Sequence, residues 1–137
     1  VIICLRKNSI GLQGLSNWSR LLTISLCLGF IYVSGQIPYT PDNKPLPASA
    51  TIADYAEQAI QNVSNILEAS NSSLNHIVKA NIFLTDMGAQ FGEFNKVYAK
   101  YFSEHKPARS CVAVKELPLG VPLEIEVVAI EKDDTKL

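Results

Sequence analysis

A chain of 137 residues is long enough for one domain with a hydrophobic core. Its 47% hydrophobic and 18% charged content excludes a disordered chain, and a net charge of −1 supplies no long-range attraction for nucleic acid. The scattered cysteines, Cys4, Cys27 and Cys111, argue against a disulfide framework and for a reducing compartment, and no metal-ligand spacing is present.

Residues 1–29 form an atypical N-terminal segment. It contains no acidic residue, and Arg6, Lys7 and Arg20 are its only charges. Three readings are open. A basic, acid-free segment fits a mitochondrial transit peptide; Arg20 followed by the apolar run Leu21 to Val33 fits a signal peptide; and a start at Val1 fits a fragment or translated non-coding sequence. The apolar run is too short to span a bilayer, so no membrane association is expected. The sequons at Asn17, Asn62 and Asn71 are read as chance, because Asn62 falls inside a predicted helix.

Phe30 to Gln36 is β-branched and aromatic and stops before Pro38, which predicts a strand. The proline-rich stretch Tyr39 to Pro47 predicts a loop. Thr51 to Ala69 predicts a helix, with Ala56, Ala59, Ile60, Val63, Ile66 and Leu67 at three- and four-residue steps and Thr51 with Asp54 as a capping box. His76 to Asp86 alternates as a strand. Val78, Ala80, Ile82 and Leu84 face one way, and Ile77, Lys79, Asn81 and Phe83 the other. A second helix is expected from about Gln90 to Phe102, with the stripe Phe91, Phe94, Val97, Tyr98, Tyr101 and Phe102 read as core. Strands over Ala108 to Val114 and Leu123 to Glu131 complete the domain of residues 30–132, and residues 133–137 form a polar tail.

The order β, α, β, α, β, β, with an extra strand at the start left open, predicts an α+β fold: a mixed sheet with two helices on one face. Ile77, Phe83, Leu123, Ile125 and Val127 are assigned to the uncovered face, which argues for burial by further copies of the chain.

Chemistry concentrates in "PARSCVAV", residues 107–114. Strand alternation puts Arg109 and Cys111 on one face. Arg109 reads either as half of an interface ion pair or as a planar fork for a substrate carboxylate, each such charge-assisted bond contributing about 1.5–3 kcal/mol. Cys111 reads as packing rather than nucleophile, since neither His76 nor His105 is an assignable base. Glu124 and Glu126 share a face of the last strand; a glutamate facing Arg109 across a pocket would hold water.

"VSGQIP" (33–38), "NIFLTDM" (81–87), "FNKVYAKYF" (94–102), "PARSCVAV" and "LPLGVPLEIEVVAI" (117–130) occur in an order and spacing that resemble the YjgF/RidA family, and the stretch after "IPYTPDNK" is similar to its fungal branch. The resemblance implies a chorismate-mutase-like fold assembled as a homotrimer, with the sheets forming an inner barrel and the sites in clefts between subunits. It implies hydrolytic deamination of reactive enamine and imine acids, of the 2-aminoacrylate and 2-iminobutanoate type, to 2-oxo acids and ammonia. No metal or organic cofactor and no nucleic-acid partner is implied, and the location is mitochondrial matrix or cytoplasm. Arg109 matches the arginine that binds the substrate carboxylate, Cys111 a pocket wall, and Glu124 the glutamate that positions water. Gly35 and Asn95 match further pocket positions, with Ser34 beside them. The pocket tyrosine of the family's first strand has Leu21 at its offset here. Two other readings stand beside this one: a ketoacid-binding regulatory module with little turnover, and an RNA-acting translation inhibitor.

Overall fold

The computed structural model of the chain describes residues 24–27 and 29–132; the targeting readings and Leu21 lie outside these residues. Five strands and two helices follow in the order β1 (Ile24–Cys27), β2 (Phe30–Gln36), α1 (Ile52–Ala69), β3 (Ile77–Leu84), α2 (Met87–Tyr101), β4 (Ala108–Ala113) and β5 (Leu123–Ile130). The strands form one mixed sheet in the order β1-β2-β5-β3-β4, with β3 and β4 parallel and the other pairs antiparallel. β1 and β2 form a tight hairpin whose turn includes Gly29 at φ 80°, in the left-handed region that glycine enters without steric cost.

Both helices cover one face of this sheet. The six residues that define the apolar stripe of α1 are all buried, as the spacing predicts. The helix starts where its capping box predicts: the Thr51 side chain accepts from Asp54 N, and Asp54 Oδ2 accepts from Thr51 N at 2.7 Å. α2 starts at Met87, earlier than the apolar stripe suggests, because Asp86 acts as its N-cap and accepts from Ala89 N. Phe94, Val97, Tyr98 and Phe102 are buried, whereas Phe91 stays 36% exposed.

Asn62 donates to the carbonyls of Ile37 and Tyr39, tying α1 to the loop after β2. Its amide is thereby committed to holding the fold, in keeping with reading that sequon as chance.

The two faces of the sheet are not composed as the sequence suggests. Ile77, Leu123, Ile125 and Val127 lie under the helices in the core, not on the uncovered face. For Ile77 the reason is a register shift between Ile77 and Lys79, which breaks the period of two and turns Ile77 to the side of Ala80 while exposing Val78. For β5 the alternation has the predicted phase, but its apolar side is the one the helices cover. The uncovered face does carry apolar side chains: Phe83 lies there as predicted, and Phe30, Tyr32, Val112 and Ile130 are 39–47% exposed. The expectation that further copies bury this face therefore rests on these residues.

Replacing Thr51 by alanine removes the acceptor for Asp54 N and one side of the capping box. It is expected to lower unfolding free energy by about 1 kcal/mol, read as a lower urea midpoint at unchanged m-value.

Candidate functional site

β4 is an edge strand whose parallel pairing with β3 matches Arg109 to Ala80 and Cys111 to Ile82. Ala80 and Ile82 point into the core, so Arg109 and Cys111 point to the helix side as well, and there they meet α2. Arg109 Nη1 donates to Asn95 Oδ1 at 2.8 Å. The guanidinium carbon lies 4.7 Å from the centroid of the Tyr98 ring and 6.0 Å from that of Phe91. Phe91, Asn95 and Tyr98 stand at i, i+4 and i+7 of α2, one line along the helix.

Among the described residues no carboxylate pairs with Arg109; the ion pairs there join Lys96 to Glu93 and Lys100 to Glu57. Arg109 is thus held by neutral groups. Of its five N–H donors one is used by Asn95, and the Nε/Nη2 edge keeps two parallel donors for an anion.

Cys111 is half-buried against the core cluster. Burial pushes its thiol up, and the charge of Arg109 offsets this only in part. His76 Nδ1 is bonded to Ser73 Oγ, and His105 Nε2 donates to the Ile77 carbonyl. Neither histidine is in place to deprotonate the thiol, which favours the reading of Cys111 as a wall.

The other predicted residues gather on the opposite face. Glu124 pairs with Phe83 across β3 and β5, on the side away from the core. β2 bulges between Val33 and Gln36, and Gly35, inside this bulge, lies beside Glu124. The contact is close. A Cβ added at Gly35 would fall 2.0 Å from Glu124 Oε1, so only glycine leaves room for the carboxylate. Burial first, and the neighbouring charge of Glu126 second, push the Glu124 carboxyl above its ordinary value. Glu126 itself accepts from Asn81 Nδ2 at 2.7 Å.

The structure therefore divides the predicted residues into two groups. Arg109, Cys111 and Asn95 form one on the helix side, and Ser34, Gly35 and Glu124 form the other on the uncovered side. Within one chain Arg109 and Glu124 do not face each other. They are two strands apart, about 10 Å, and offset by three residues along the strands, about 10 Å more, with the sheet between them. Sequence reasoning missed Tyr98 and Phe91 as neighbours of Arg109. Their seven-residue spacing around Asn95 was the available signal.

A separate cleft of about 380 Å³ is lined by Leu46, Asp54, Glu57, Gln58, Gln61 and Tyr101. Its central carboxylate is already engaged: Glu57 accepts from Tyr101 Oη and from Lys100 Nζ, and the first of these helps push the Tyr101 phenol up to about 12. It contains none of the site residues that the family resemblance implies.

Comparison with known proteins supplies the relatives. A family model described as Endoribonuclease L-PSP matches residues 12–131. "Protein MMF1, mitochondrial" of Saccharomyces cerevisiae is 65% identical over 104 residues, covering 76% of this chain and 70% of that protein. The crystal structure of yeast Mmf1 superposes with a TM-score of 0.77 at 61% identity, covering 80% of this chain and 86% of that one. TdcF of Escherichia coli, named a candidate reactive intermediate deaminase, was crystallised with bound serine; it gives a TM-score of 0.73 at 36% identity, covering 80% of this chain and 87% of that one.

The raised value of Glu124 means that folding is favoured by its protonated form. That contribution is present below the ordinary glutamate range and is lost as pH rises through the raised value. Glu124→Gln stays neutral throughout. Its urea midpoint is expected to gain on the parent's as pH rises above the ordinary glutamate range; a constant difference across that rise would contradict the shift.

Proposed function

Because this chain belongs to the YjgF/RidA family, whose model carries the endoribonuclease L-PSP description, we propose that it hydrolyses reactive 2-imino and 2-enamino acids to 2-oxo acids and ammonia. The observation that carries this reading is the neutral setting of Arg109. A cation held by an amide and two aromatic faces, with no carboxylate partner among the described residues, is prepared for an anionic ligand. The serine bound to TdcF is an amino acid of the size that such a fork accepts.

The chemistry asks little of the protein. Once the imine nitrogen is protonated, its carbon is electrophilic. The Nε/Nη2 edge of Arg109 grips the carboxylate and so orients the C=N group. Glu124 holds a water against that carbon and accepts its proton; its raised value brings it closer to the working pH of a base. The tetrahedral intermediate then expels ammonia. Cys111 lines the cleft without forming a bond, and no metal or organic cofactor takes part.

Arg109 and Glu124 lie on opposite faces of one sheet, so a working pair comes from two chains. In a homotrimer whose uncovered faces meet in a central barrel, the Glu124 group of one subunit meets the Arg109 edge of the next. Phe30, Tyr32, Val112 and Ile130 supply apolar area for that contact. The mitochondrial relative in yeast supports a location in the mitochondrial matrix or the cytoplasm.

Subunit complementation tests the whole reading. Ammonia release is followed with imine generated in place by a threonine dehydratase. Arg109→Ala and Glu124→Gln homo-oligomers are each expected to lose at least 100-fold in kcat/KM. Unfolded and refolded together, the mixture regains about a quarter of parental activity, because a random assortment restores that share of two-chain sites. An Arg109→Ala protein as active as the parent would sink the assignment.

A second prediction isolates Gly35. The atom that an added Cβ meets is the far end of a flexible side chain, so Gly35→Ala is expected to fold and to displace the Glu124 carboxylate. Its kcat should fall at least tenfold, in parallel with Glu124→Gln, while 2-oxobutanoate still binds.

One alternative has an observation of its own. A single chain carries the Arg109 grip without Glu124, as a ketoacid-binding module would. Titration with 2-oxobutanoate giving tight binding, with no acceleration of imine hydrolysis by the assembled protein, would favour that module. RNA cleavage that survives Arg109→Ala would instead favour the activity that the family model's description carries.

A further inference from the structure

Tyr98 occupies an unusual position for a core aromatic. It is 9% exposed, and its hydroxyl is buried with no hydrogen-bond partner among the described residues. A core position with no further task is better filled by phenylalanine, since an unpaired buried hydroxyl is costly. The ring is immobilised from below. It stacks on Phe102 with centroids 4.3 Å apart and planes 28° from parallel, and it meets Phe94 at 5.7 Å. Phe94 is fully buried and Phe102 is 6% exposed, so neither can swing away. The outer face of the ring carries the Arg109 guanidinium at 4.7 Å.

We infer that Tyr98 is the positioning residue of Arg109: a rigid aromatic platform that fixes the guanidinium plane before any ligand arrives. An arginine side chain has several freely rotating bonds, and ordering them on binding would cost affinity. Three contacts remove that freedom here. Asn95 fixes one N–H by a hydrogen bond, Phe91 borders the group at the exposed rim, and Tyr98 supports its face through attraction between the cation and the ring's negative face. What remains is the Nε/Nη2 edge, presented in one direction. Phe91 is itself partly exposed and more distant, so it cannot replace the buried ring. This deepens the proposed function, because it rests on Arg109 gripping a ligand carboxylate.

The experiment has one readout on the parent protein and one on variants. The arginines of the chain are Arg6, Arg20 and Arg109, so the Arg109 Nε–H signal is readily assigned by ¹⁵N NMR. In the unliganded parent its order parameter is expected near that of rigid backbone, about 0.85, and in Tyr98→Leu below about 0.6. By calorimetry with 2-oxobutanoate, Tyr98→Leu is expected to bind about tenfold more weakly than the parent, with KM for the imine raised and kcat little changed. Tyr98→Phe, which keeps the ring, restores both the order parameter and the affinity to within about twofold. A mobile Arg109 in the parent overturns the inference even if Tyr98→Leu does not fold. So does a folded Tyr98→Leu protein with Arg109 as ordered as before. If Arg109→Ala binds 2-oxobutanoate as tightly as the parent, the carboxylate grip fails, and the NMR comparison still decides what Tyr98 does.

Discussion

The packing of two helices on one face of the sheet is the constraint on which the rest depends. Strand alternation sends every second residue of β3 and β5 into that interface, where Ala80, Ile82, Leu84, Leu123, Ile125 and Val127 join the apolar faces of α1 and α2 in one core. The intervening residues are then committed to the other face, whatever their chemistry. Glu124 and Glu126 lie there because Leu123 and Ile125 must not. Arg109 lies on the helix side because β4 runs parallel to β3 and pairs it with Ala80. The separation of the two chemical groups is thus a by-product of core formation.

Two irregularities adjust this plan. The shift between Ile77 and Lys79 turns Ile77 inward at the entrance of β3, where the His105 side chain also fastens the turn after α2 to the Ile77 carbonyl. The bulge between Val33 and Gln36 places Gly35 against the Glu124 carboxylate. Bulges cost ladder hydrogen bonds and persist where they aim something. The first aims an apolar side chain into the core. The second makes space that only a residue without a side chain can leave.

The surroundings of Arg109 and Glu124 differ in kind. Arg109 stays exposed but is propped by an amide and aromatic rings, which leaves its charge uncompensated and its direction set. Glu124 is half-buried next to a second carboxylate, which holds its proton more firmly. One environment suits a fixed anion receptor and the other a proton acceptor. Cys111, chemically the most conspicuous residue of its strand, has neither: its thiol is shielded and its value raised.

Much of the secondary structure was legible in the sequence, because it follows from local periods. β2 and the apolar face of α1 match their patterns residue by residue, and the capping box marked the start of α1. The sharing of one face by Arg109 and Cys111 was legible for the same reason. The start of α2 at Met87 was less so, since its signal is the single cap Asp86 rather than a period. Which side of the sheet each strand's apolar face would meet was not legible, because a period of two is identical in either phase and a bulge shifts it without a reliable mark. The sequence by itself determined the elements, their apolar faces and the residues able to do chemistry. Only the tertiary structure decided that Arg109 rests on Tyr98 and that Glu124 lies across the sheet from it, since both depend on strand order and on the face the helices cover, contacts between segments that no local pattern encodes.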